Sequence, residues 1–122
     1  MSDDAPEDWS PVGIEKAIYT AVQRIAKGVI VCSKAHEDFL KADRDHDTGY
    51  AIAFLNNEGS IEARKYQARI DTEGLREARD RADVVYQRAR QNMRALESEL
   101  EALRSIGVSV RQAYQNAGRG EY

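Results

Sequence analysis

The chain has little of what usually builds a catalytic or disulfide-bonded protein: one cysteine, two histidines, two prolines, one tryptophan and two phenylalanines in 122 residues. A lone thiol, Cys32, excludes an internal disulfide framework and fits a reducing compartment. Aromatics at 7% and so few proline breaks suit a helical protein whose core is made of Ala, Leu, Ile and Val. No basic segment opens the chain, and no stretch approaches the roughly 18 apolar residues that a membrane span needs. The expectation is a cytoplasmic protein that does not contact membranes.

Chemistry-bearing motifs are missing as well. There is no glycine-rich phosphate loop, no nucleophile elbow and no pair of carboxylates in a pocket context. Asp43, Asp45 and Asp47 imitate the first half of a calcium loop, but the positions that need Gly and a bidentate acid hold Thr48 and Phe54. His46 stands in that acidic run without the four ligands of a structural zinc site. Cys32 and His36 share a helical face, where a small buried hydrophobe is the simpler reading of the thiol. The sequence therefore reads as a non-enzymatic protein without metal or other cofactor.

What the chain does have is a 4-3 stripe of apolar and small residues, ten positions long: Ala82, Tyr86, Ala89, Met93, Leu96, Leu100, Leu103, Gly107, Val110 and Tyr114. That spacing falls on one narrow line of a helix and requires a partner surface, in the same chain or in another copy. Tyr86, Met93, Leu96, Leu100, Leu103, Val110 and Tyr114 are the expected oligomerisation residues. The fold class follows: all-α, an elongated helical hairpin or bundle with a long, coiled-coil-like C-terminal helix, self-assembling.

Along the chain, residues 1–10 form an acidic tail expected to be disordered, with Asp3, Asp4, Glu7 and Asp8 and no base. Residues 11–116 form a single helical domain, and 117–122 a flexible end. Ser10 and Pro11 make a helix start. Ile14, Ile18, Ala21, Ile25, Cys32, His36 and Phe39 continue one face, and Gly28 on that side permits close helix approach. The stretch 43–49 reads either as loop or as helix continuing to about Leu55, with a lean toward helix. Asn56, Asn57 and Gly59 stop it. Ser60 caps a second long helix whose weak point is Asp71-Thr72-Glu73-Gly74.

The net charge of −3 hides a polarity. Residues 60–122 hold twelve bases, eleven of them Arg, against ten acids. Arg is well suited to phosphate because its planar fork donates two hydrogen bonds at once. Arg64, Lys65, Arg69, Arg88, Arg90 and Arg94 are the expected nucleic-acid contacts, with Tyr66 and Tyr86 placed among them as stacking rings are in single-strand binders. The plainer reading is that Glu73, Glu77, Asp80 and Asp83 pair with neighbouring arginines along the helix.

The stretch 102–115, Ala-Leu-Arg-Ser-Ile-Gly-Val-Ser-Val-Arg-Gln-Ala-Tyr-Gln, with Gly-Ser-Ile-Glu-Ala-Arg at 59–64, resembles the UvsY-type recombination mediators of phages, over roughly residues 15–116. The resemblance implies a ring-forming homo-oligomer that catalyses no reaction. It would bind single-stranded DNA, displace single-strand-binding protein and help load a RecA-like recombinase in the cytoplasm of a bacterial host. The family's basic DNA-contact segment would fall before Gly59, where this chain has Tyr-Ala-Ile-Ala-Phe-Leu at 50–55 and no base. DNA contact has then either moved to Arg64, Lys65 and Arg69 or been lost. The alternative is a coiled-coil assembly protein, or one that docks a host protein, without nucleic-acid affinity.

Overall fold

The structure, a computed structural model, describes residues 9–120. The expected acidic tail lies almost wholly outside the described residues. Three helices account for the fold: α1 (Pro11–Asn56), α2 (Ile61–Asp71) and α3 (Glu73–Gly120), with no strand among the described residues. The protein is all-α.

Helix α1 starts where the sequence places it. The Ser10 hydroxyl accepts the Gly13 N–H at 3.1 Å and the Ser10 carbonyl accepts from Ile14 N, so the cap satisfies donors that no helical carbonyl can reach. Trp9, just before it, is more than half exposed. The ambiguous 43–49 stretch is helix, and α1 continues unbroken to Asn56. At the other end of the chain, α3 runs past the expected end near Asn116 to Gly120. Gly118 does not stop it, because the one described glycine with positive φ is Gly59; without a left-handed residue the ladder simply continues.

The chain divides into two compact units, one made of the segments up to Ile30 and from Gln91 onward, the other of Val31–Arg90. In the first, α1 and α3 lie antiparallel. Ile14 meets Gly107, Ala17 and Ala21 surround Leu103 with Ile18 and Leu100 beside them, and Gly28 faces Met93 and Leu96. Arg24 Nη1 donates to Glu99 Oε2 at 3.5 Å along the edge. The 4-3 stripe thus finds its partner here in the chain's own first helix, with Leu103 and Gly107 buried and Leu96, Leu100 and Val110 half-buried, whereas Tyr114 stays exposed. The core is built mainly of alanine, which lets the backbones approach but removes little apolar area from water.

In the second unit the same antiparallel pairing holds: His36 stacks on Tyr86 with centroids 4.7 Å apart, and Gly49 faces Leu75 and Thr72. A tight turn joins α1 to α2. Gly59 has φ +110°, a conformation that side chains with a Cβ rarely adopt, and Ser60 caps α2 by accepting from Ala63 N. The weak point expected at 71–74 is real and falls on Thr72, not on Gly74. Thr72 is buried, and both its hydroxyl and its N–H donate to the Ala68 carbonyl.

Asp71 ties the far end of α2 to the turn, accepting from Asn57 Nδ2 and Gln67 Nε2, each at 2.9 Å. The Asn57 bond, then the Gln67 bond, hold its carboxyl below the ordinary value of 3.8. A depressed folded-state pKa means that this contribution is in place above pH 3.8 and is lost as pH falls through the lower folded value. Asn57→Ala should raise the Asp71 pKa toward 3.8, which a carboxyl-carbon NMR titration will read.

Candidate nucleic-acid interface

Capping by Ser60 fixes the phase of α2, and with it which side chains share a face. Glu62, Lys65, Tyr66 and Arg69 stand at i, i+3, i+4 and i+7, so they form one stripe. With Tyr50 of α1 they line a groove of ≈ 240 Å³. Tyr50 is half-buried, whereas Lys65, Tyr66 and Arg69 are exposed. Among the described residues, neither Lys65 nor Arg69 is paired with a carboxylate.

Arg64, the third cation expected in this cluster, points elsewhere. Its Nε donates to the Phe54 carbonyl at 3.1 Å, and its guanidinium lies 4.4 Å over the Phe54 ring. Phe54 belongs to the last turn of α1, whose carbonyls have no helical donor. Asn57 completes the closure by donating its N–H and its Nδ2 to the Ala53 carbonyl. The partner of Arg64 lies across the turn, so the sequence offered no signal for it beyond the aromatic at Phe54.

The remaining expected contacts lie on α3. Arg88 is exposed and, among the described residues, unpaired. Arg90 sits 5.6 Å over the Tyr86 ring, a cation–π contact. Tyr86 therefore contacts both His36 and Arg90, in the packing and not as an open platform. Arg94 belongs to the first unit, where it is exposed and unpaired among the described residues. Other arginines are spent on acids: Arg81 on Glu77 at 3.9 Å, and Arg79 on Asp80 at 3.4 Å and Asp43 at 3.9 Å.

The acidic run on α1 meets cations of the chain itself. Arg79 Nη1 lies 3.3 Å from His46 Nδ1; a guanidinium can only donate, so that ring nitrogen accepts. Lys41 Nζ donates to Asp45 at 3.0 Å. Among the described residues no group of three or more His, Cys, Asp or Glu is placed to hold a metal ion. Cys32 is a half-buried free thiol, and the His36 ring one turn on is stacked on Tyr86.

The first unit also leaves an apolar flank exposed. Tyr19, Val22, Ala26 and Val29 follow one another at 3- and 4-residue steps along the flank of α1, with Val12 seven residues before Tyr19; Val12, Tyr19, Val22 and Val29 are 42–67% exposed. They form a second apolar stripe beside the buried one, recognisable from spacing alone. No helix among the described residues is long and apolar enough to cross a membrane. Comparison with protein-family models, with curated proteins and with solved structures finds no match.

Proposed function

We propose that this chain is a non-enzymatic scaffold that binds single-stranded DNA and acts as a phage-type recombination mediator, assisting the loading of a RecA-like recombinase. The supporting observation is the division of labour among its cations. Arg24, Arg79 and Arg81 are paired with acids, while Lys65, Arg69, Arg88 and Arg94 are exposed and carry no carboxylate partner among the described residues. Unpaired surface cations are what a phosphate backbone requires. The recombination role itself comes from the resemblance at 59–64 and 102–115.

The mechanism is collective. Each copy offers a few weak phosphate contacts, and several copies joined together convert later contacts into intramolecular ones. The exposed stripe at Val12, Tyr19, Val22 and Val29 supports self-association, since an isolated chain would leave it in water. That stripe also favours a second reading, an assembly protein that docks another protein and has no affinity for nucleic acid.

A salt titration separates the two. Fluorescence anisotropy of a labelled single-stranded oligonucleotide should show binding at about 50 mM salt, with log K falling by about 0.7 per phosphate contact for each decade of salt. Absence of binding at low salt, by protein that light scattering shows to be assembled, rejects the DNA reading in favour of the docking protein.

A further inference from the structure

The groove beside α2 holds one residue that phosphate binding alone does not explain. Glu62 lines it together with two tyrosines and two cations, and a carboxylate repels a DNA backbone. No ion pair to Glu62 is present among the described residues, although Lys65 and Tyr66 follow it at i+3 and i+4 and Arg69 shares its face. The space, ≈ 240 Å³, is smaller than the roughly 300–1,000 Å³ of pockets that enclose drug-sized ligands. It suits one flat ring and its immediate substituents.

We infer that this groove is a single-nucleotide subsite with a preference for guanine over thymine, an inference that rests on the single-stranded DNA reading. Tyr50 and Tyr66 supply ring faces for an unstacked base, which sequence-tolerant binders use at every position. Lys65 and Arg69 take the flanking phosphates. Glu62 then meets the pairing edge of the base, which is open only in a single strand. A carboxylate is acceptor-only when ionised. Guanine presents two adjacent donors, N1–H and the exocyclic amino group, and so engages both carboxylate oxygens. Cytosine and adenine offer one amino group beside an acceptor nitrogen. Thymine flanks its single N–H with two carbonyls that repel the carboxylate, so it is the poorest occupant.

The test compares the full chain binding to two labelled oligonucleotides by anisotropy: a thymine run, and the same run with an isolated guanine at every fourth position. The guanine-containing strand should bind about fivefold to tenfold tighter, near the lower end of what a bidentate base contact provides. Glu62→Gln removes one acceptor and adds a donor, so the ratio of the two affinities should collapse toward one even as both affinities rise with the lost negative charge. Tyr66→Ala should weaken both strands alike. Equal binding of the two strands by the unaltered chain, or a preference that survives Glu62→Gln, overturns the subsite while leaving DNA binding standing. Failure of both strands to bind at low salt removes the DNA reading and the subsite with it.

Discussion

Leu103→Asp should leave the first unit unfolded at room temperature, with the helical circular-dichroism signal lost in large part and no cooperative melt for that pair of helices. Leu103 is 6% exposed and packs on Ala17 and Ala21, with Ile18 and Leu100 around it. Truncating such a leucine to alanine costs about 2–5 kcal/mol through lost transfer energy and the cavity left behind. Aspartate adds a buried carboxylate without a cation to meet it, which costs more again. Against a total stability of about 5–15 kcal/mol for an ordinary domain, a loss of that size removes most of what a core with so little buried apolar area supplies. Ala102→Asp is the control: one residue earlier, exposed, and expected to cost no more than about 1 kcal/mol, most of it helix propensity. A Leu103→Asp chain that melts like Ala102→Asp would mean that the stripe does not pack on α1 in solution.

The opposite change, adding volume, should also destabilise. Ala21 is fully buried against Leu103, and leucine there brings three more carbon atoms into a space already filled. Helix propensity does not decide the sign, since Ala and Leu differ little. Overpacking should therefore cost about 1–3 kcal/mol, read as a lower denaturation midpoint. Combining Ala21→Leu with Leu103→Ala exchanges the large and small partners across the helix pair. The double variant should be more stable than the sum of the two single losses predicts, by an interaction energy of about 0.5–3 kcal/mol. Strict additivity would place the two side chains out of contact.

Much of the helix pair was legible because burial imposes a period. The stripe from Ala82 to Val110 identified the face of α3 that packs, and Ile14, Ile18 and Ala21 identified the matching face of α1. The acidic run at 43–49 resisted reading because its helical state depends on partners distant in sequence. Asp43 and His46 face Arg79, and Gly49 leaves room for Leu75. Local propensity alone favours a turn there. The same limit applied at Asp71-Thr72-Glu73-Gly74, where glycine draws attention but the bend sits on Thr72, whose hydroxyl finds the Ala68 carbonyl.

At the candidate interface, spacing was enough to place Lys65 and Arg69 on one face with Tyr66. It could not separate Arg64 from them, because adjacency in a cluster of bases says nothing about a carbonyl across a turn. Nor could it bring in Tyr50, fifteen positions before Lys65, the first cation of the groove; only the close of α1 onto α2 does that.

The fastening of that turn has a kinetic consequence. Arg64 on Phe54, Asn57 on Ala53 and Asp71, and the left-handed Gly59 together tie α2 down at both ends. A ligand entering beside Tyr50 finds the backbone of its walls already in place and loses little free energy to ordering loops. Its arrival rate should then be much the same whatever base it carries. On the proposed single-nucleotide reading, differences between ligands would be written in how long each one stays, so residence time is the quantity to compare from one nucleotide to the next.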